Sequence, residues 1–272
     1  MNKKILFLVN HRKNRSPSQR FRFEQYLDYF NENGYDYELA TLLNEQDDKL
    51  FYSKGNWVRK LFLVIQSFRK RLKDVKRTHR FDIVFIQREA FFIGTTYFEK
   101  KLHRLPVKVI FDFDDSIWLP NVSLGNKKLH WLKNSNKTKA LIGLADFIIV
   151  GNQYLGDYAK KFNTHVQIIP TTIDTEYHKN KAHKKLNTPI CIGWTGTATT
   201  IKHFEMVIPV LIKLKEKYNT QIYFKVIGEN EYTNEDLEIK GTQWSLNTEI
   251  EDLSELDIGI MPLPNDQWTQ GK

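Results

Sequence analysis

Short, nearly continuous apolar runs recur along this chain, and they limit its fold more than anything else in the sequence. ILFLV, IVFI, VIFDF, FIIV, ICIGW and IYFKVI are separated by stretches with helical periodicity. A strand that is apolar at every position has to be covered on both faces, as in parallel sheets wrapped by helices. Strands are expected over residues 5–9, 35–39, 82–87, 107–113, 147–150 and 166–169, and again over 190–194, 221–227 and 257–261. A helix is expected over 20–33, ended by Gly34, and a long basic helix follows the second strand. That order predicts a doubly wound α/β sheet, formed twice. Between the two sets lies PTTIDTEYHKNKAHKKLNTP, which is polar, basic and bounded by prolines, the composition of a linker. The expected organisation is a first domain over 1–171, a linker over 172–188 and a partial second domain over 189–272.

At 272 residues the chain is long for one core and sufficient for two. Its one cysteine, Cys191, lies inside an apolar run, so a disulfide framework is excluded and a reducing, cytoplasmic setting fits. No apolar run approaches the length of a membrane span. The eight histidines are scattered, without HxH or HExxH, and no metal site is expected. The net charge of +9 is densest over 57–80. There Trp57, Val58, Leu61, Phe62, Val64, Ile65, Phe68 and Leu72 recur at helical spacing, with many lysines and arginines alongside. Such a helix suits the anionic inner face of a membrane; a solvated basic face on a helix packed in its own domain fits the same spacing. Nucleic acid is not an expected partner, because finger, helix-turn-helix and aromatic RNA-binding motifs are missing.

Two places carry chemistry. In the second half, the loop GWTGTATT brings Gly196, Thr197, Thr199 and Thr200 to a strand-to-helix turn. Backbone N–H groups, hydroxyls and a helix dipole there suit a phosphate, and the same residues also serve as plain turn and cap residues. The loop is neither a Walker loop nor GxGxxG. Lys202 falls on the next helical turn, and Gly228 and Glu229 follow the next strand. In the first half, Asp112, Asp114 and Asp115 crowd one strand end, where three carboxylates need cations or hydrogen bonds nearby. Asp115 also reads as a helix cap and Asp112 as a loop hydrogen-bonder. Gln87, Arg88 and Glu89 end the neighbouring strand, and Ser16, Ser18 and Arg20 occupy the loop after the first. Ligands of open sheets bind at such strand ends. VIFDFDDSIW also matches the first motif of haloacid-dehalogenase-type, magnesium-dependent phosphatases, although several strands precede it and the later acidic pair is missing.

Larger pieces resemble a known family. IIPTTIDTEYH resembles the IPNGVD crossover of bacterial family-4 glycosyltransferases, with Thr171 and Thr172 replacing Asn-Gly. DIGIMPLPNDQWTQGK resembles the strand and loop leading into that family's donor site, while SPSQRFRFEQYL, QRE and FDFDDSIW are similar to a branch found in surface-polysaccharide clusters. The resemblance implies an α/β fold of two facing Rossmann-like domains (GT-B), the second incomplete, and transfer of sugar from a nucleotide-diphosphate sugar to a glycan or lipid-linked acceptor. It implies no further cofactor and no bound metal. Donor contacts would come from Gly196, Thr197, Thr199, Thr200, Gly228 and Glu229, with Lys202 and Lys272 as cations for the diphosphate. Asp114 and Asp115 would orient the acceptor or handle its proton, helped by Ser16, Ser18, Arg20, Gln87, Arg88, Glu89 and Asp112. Gly193-Trp194 departs from the family's Gly-Arg. By the same resemblance a complete member continues past Lys272 into an acidic donor motif, so the chain is expected to be inactive or weak alone, or to be a binding-only remnant.

Overall fold

The first strand, KKILFLV, is buried from Ile5 to Val9, and alternate side chains go to opposite faces of the sheet. Leu6 and Leu8 join one apolar cluster while Ile5, Phe7 and Val9 join another, so both faces are covered, as the continuous apolar run demands. The computed structural model describes residues 2–53, 55–119, 136–179 and 189–272. It forms two compact units, Met1–Ile173 with Asp266–Lys272, and Asp174–Asn265.

In the first unit, strands β1 (Lys3–Val9), β2 (Tyr35–Thr41), β3 (Ile83–Gln87), β4 (Lys108–Phe113), β5 (Phe147–Val150) and β6 (Val166–Ile168) form one parallel sheet in the order β2-β1-β3-β4-β5-β6. The order reverses direction between β1 and β3, and in such sheets the ligand crevice lies beyond the carboxyl ends of the strands at that switch. The described helices are α1 (Pro17–Arg22), α2 (Leu27–Glu32), α3 (Glu45–Tyr52), α4 (Trp57–Lys76), α5 (Tyr97–Leu102), α6 (Asn136–Leu144) and α7 (Gln153–Ala159).

Three expectations need correction in this unit. The single helix expected over 20–33 is broken at Phe23, whose φ of −146° is not helical. Its ring stacks on Phe7 at 4.7 Å and is buried, and that packing outweighs the continuity of helical periodicity. The long basic helix has two faces, not one apolar stripe. Leu63, Ser67, Arg71, Asp74 and Val75 point inward, while Trp57, Val58, Leu61, Phe62 and Ile65 remain exposed. The third difference lies at the end of the chain, where residues 266–272 pack with the first unit although 189–272 was expected to stay together.

Arg71 is fully buried on the inner face of α4. Its guanidinium donates to the carbonyls of Val9, Ala40 and Ala90 and pairs with Asp74 at 3.3 Å. One cation thus ties together the ends of β1 and β2 and the loop after β3, and burial brings its pKa down to about 10.

The second unit holds β7 (Ile190–Thr195), β8 (Ile222–Ile227), a short antiparallel pair β9 (Thr233–Asn234) and β10 (Ile239–Lys240), and β11 (Ile258–Gly259). Parallel strands run in the order β11-β7-β8. Helices α8 (Ile201–Glu205), α9 (Ile208–Tyr218) and α10 (Glu249–Ser254) accompany them, around a core that includes Ile192, Trp194, Phe204, Leu211, Phe224 and Val226. The strand expected over 257–261 shrinks to Ile258–Gly259, since Pro262 and Pro264 beyond it have no N–H for a ladder. Of the expected linker, Asp174–Lys179 belong to this unit, and 180–188 lie outside the described residues.

Candidate functional site

The strand ends of the first unit gather most of the residues singled out there. β4 delivers Asp112 in register with Gln87 of β3, and the Arg88 amide donates to the Asp112 carbonyl at 2.8 Å. Arg88 takes the left-handed region, φ 63°, so the chain turns sharply at the end of β3. From there its guanidinium reaches Asp115 at 2.8 Å and approaches Asp114 at 3.7 Å. Gln87 donates to the Ser18 hydroxyl at 2.6 Å, and Ser18 donates to Asp114 at 2.8 Å, a relay joining the ends of three elements.

Each of the three aspartates has its own partner. Asp112 is held by Arg22, a residue the sequence reading did not single out. The guanidinium lies 2.5 and 3.1 Å from Oδ1 and 3.3 Å from Oδ2, with both side chains buried. Burial nonetheless pushes Asp112 up to about 6, against the pull of Arg22. Asp115 is also pushed up by burial, but Arg88 and then Lys272 outweigh this and hold it below the usual carboxylate range. Lys272 Nζ lies 2.6 Å from Asp115 Oδ1 and 4.8 Å from the centre of the Trp268 ring. The resemblance implied a donor role for Lys272 within the second domain; the structure instead seats it in the first unit, beside the aspartates.

The closing segment is held by specific contacts. Ser116 donates to the Gln267 carbonyl at 3.2 Å, and Asn152, which caps α7, donates to the carbonyls of Gln270 and Lys272. A β-carbon on Gly271 would lie 2.2 Å from the Ser116 hydroxyl, so only glycine lets the segment come this close.

Other expected acceptor residues are placed differently. Glu89 pairs with Lys137 at 2.7 Å, and the same ammonium binds the carbonyls of Phe91 and Ile93, which commits Glu89 to the fold of its loop. Ser16 precedes α1 without a side-chain cap bond, and Arg20 is buried with its guanidinium 5.2 Å from the Phe21 ring centre.

In the second unit, the ends of β7 and β8 come together through two glycines. Gly228, with φ 103°, lies so close to Gly196 that a β-carbon on it would fall 1.9 Å from the Gly196 carbonyl oxygen. A β-carbon on Gly196 would fall 2.3 Å from the Trp194 ring. The expected cradle of backbone N–H groups is partly spent: the Gly196 amide donates to Ile227 at 3.0 Å and the Thr197 amide to the Thr200 hydroxyl at 3.0 Å. Thr197 and Thr199 hydroxyls lie 3.0 Å apart and are exposed, as is Lys202. Hydroxyls and the Lys202 ammonium therefore carry what this loop offers to an anion. Glu229 is half-buried and accepts weakly from the Glu231 amide at 3.4 Å. Trp194, which stands where the family has arginine, is a core residue.

No protein-family model matches the sequence, and no curated protein does. Solved structures do resemble it. An alpha-glucosyltransferase in complex with UDP and a 13-mer DNA superposes with a TM-score of 0.59 at 16% identity, over 97% of this chain and 73% of that one. A glycosyltransferase from Rickettsia africae gives 0.58 at 14% identity, over 95% and 72%. The catalytic domain of starch synthase IV from Arabidopsis thaliana, bound to ADP and acarbose, gives 0.59 at 8% identity, over 95% and 78%. The chain has the GT-B glycosyltransferase fold.

Each unit has its own parallel sheet, as that fold requires. The fold gives the phosphatase reading no support. Such a reading needs Asp112 as a nucleophile, and Arg22 occupies both of its oxygens. Among the described residues, no group of three or more His, Cys, Asp or Glu is arranged to hold a metal, and no helix is long and apolar enough to cross a membrane.

Proposed function

We propose that this chain is a glycosyltransferase acting on a nucleotide-diphosphate sugar, with the donor bound by the second unit and the acceptor by the first. The observation that carries this reading is the glycine pair Gly196 and Gly228. At the carboxyl ends of adjacent parallel strands, these two positions keep the backbone clear of any β-carbon, and exposed threonine hydroxyls and Lys202 stand beside them. Hydroxyls and an ammonium suit a diphosphate. A fixed cation there stabilises the charge that develops on the leaving group as the sugar–phosphate bond breaks, without a metal or other cofactor. Glu229, half-buried next to Gly228, is the residue we assign to accept from the ribose or base.

On the acceptor side, Asp114 is fixed through Ser18 and Gln87 and flanked by Arg88, so its free oxygen can accept a hydrogen bond from an acceptor hydroxyl and later its proton. Asp115 serves as the counter-charge that positions Arg88. The acceptor we favour is a glycan or lipid-linked glycan of surface-polysaccharide assembly, elongated on the cytoplasmic side. This rests on the motifs shared with that branch of the family.

The test is calorimetric titration of the chain with UDP and with GDP in the presence of a chelator. One of the two is expected to bind, and Lys202→Ala is expected to weaken it about tenfold, the loss of one charge-assisted contact. A folded chain that binds neither nucleotide would overturn the proposal. Binding with no transfer to any glycan acceptor would reduce it to a sugar-nucleotide-binding protein.

A further inference from the structure

We propose that the outer face of α4, continued by α5, docks this protein onto an anionic lipid bilayer. Along that face Val58, Phe62, Ile65, Arg69, Lys73 and Lys76 follow one another at steps of three or four residues, and all are exposed. The first half of the line is apolar and the second half cationic. Val58 is 83% and Phe62 67% exposed, with Trp57 and Leu61 beside them at 64% and 61%. Side chains of this size left in water at successive turns form a patch, not scattered exceptions. The residues that attach α4 to the sheet lie on the opposite side, at Leu63, Ser67, Arg71, Asp74 and Val75, so the exposed stripe contributes little to the fold.

Charge selects the occupant. From Trp57 to Lys73 the helix has no acidic residue, and its nearest carboxylate, Asp74, is buried against Arg71 and Arg77. A second copy placed face to face would set these cations against one another, and the stripe would find nothing apolar on a nucleic-acid backbone. An anionic bilayer meets both halves, with acyl chains for the apolar groups and headgroups for the cations. The neighbouring helix extends the surface in kind. Tyr97 of α5 is exposed, stacks on Phe68 of α4 at 5.7 Å and lies 4.9 Å from the Lys101 ammonium, while Lys60 lies 5.4 Å from the centre of the Trp57 ring. Aromatic rings with lysines beside them are the pairing enriched at the membrane–water boundary. This proposal goes beyond the transferase reading and does not depend on it.

The experiment is flotation of the full chain with vesicles of phosphatidylcholine alone and of equal parts phosphatidylcholine and phosphatidylglycerol, at low and high salt. Binding is expected only to the anionic vesicles and is expected to weaken with salt. The double substitution Leu61→Ser with Phe62→Ser should lower partitioning at least about tenfold, and Arg69→Glu with Lys73→Glu about 25-fold or more. All four positions are exposed, and circular dichroism confirms that the variants fold. Equal binding to neutral vesicles, no binding by the folded wild-type chain, or variants that bind unchanged would each overturn the proposal. So would a dimer in sedimentation that the serine variant dissolves, since that would give the stripe to a second copy.

Discussion

Single residues here do two kinds of work, and burial separates them. Arg71 carries its charge where no solvent reaches, and its return is three backbone carbonyls, two at the ends of β1 and β2 and one in the loop after β3. Replacing it by methionine keeps the bulk but leaves those carbonyls and Asp74 short of a donor. Arg71→Met is expected to cost about 3–5 kcal/mol in urea unfolding, and a loss below about 1 kcal/mol would contradict the role assigned to it. By contrast, Asp114 and Arg88 remain partly open to solvent, which suits groups that meet a ligand. The sequence made the aspartates visible because three carboxylates at one strand end demand an explanation. It did not reveal Arg22, because an arginine inside SPSQRFRFEQYL has no mark that distinguishes a buried partner from a solvated one. Only the break at Phe23 and the turn of α1 bring it to Asp112.

At the scale of elements, the strands were legible and the helix limits less so. Runs such as VIFDF and FIIV are short and rich in β-branched and aromatic residues, which favours a strand over a helix, and β4 and β5 fall within a residue of expectation. Helical periodicity over 20–33 concealed a break that depends on a long-range ring stack, and the periodicity of α4 did not say which of two apolar faces is covered. The β9–β10 hairpin, with strands of two residues each, is too short to leave a pattern. The strand ends β7 and β8 supply a test at this scale. Gly228→Ala would put a β-carbon into the Gly196 carbonyl at a positive φ, so the two strand ends must separate. The variant is expected to lose about 1–3 kcal/mol of stability and to lose nucleotide binding measurably more than Lys202→Ala does. Unchanged binding would show that the glycine contact is not part of the donor site.

The whole molecule consists of two units with their own cores, and each should register damage locally. Phe204 is buried in the second core beside Trp194 and Tyr232. Phe204→Ala is expected to remove amide protection from β7 and β8 in hydrogen exchange while β1, β3 and β4 keep theirs, at a cost of about 3–5 kcal/mol to the damaged unit. Loss of protection throughout would mean the two unfold as one. The point where the chain leaves the first unit is fixed with care: Tyr26 bonds the Thr172 hydroxyl at 2.5 Å, Gln25 the Thr172 carbonyl, and Arg22 both the Ile169 carbonyl and the Thr171 hydroxyl. Arg22 is also the partner of Asp112, so one guanidinium spans the strand end and the start of the crossover. A mutational experiment on Asp112 therefore has a confounder built in. Asp112→Asn removes a charge from the strand end and at the same time slackens the grip on residues 169–171, so lost activity in that variant has two explanations. Asp114→Asn, whose carboxylate is hydrogen-bonded by Ser18 with no tie to the crossover, separates them.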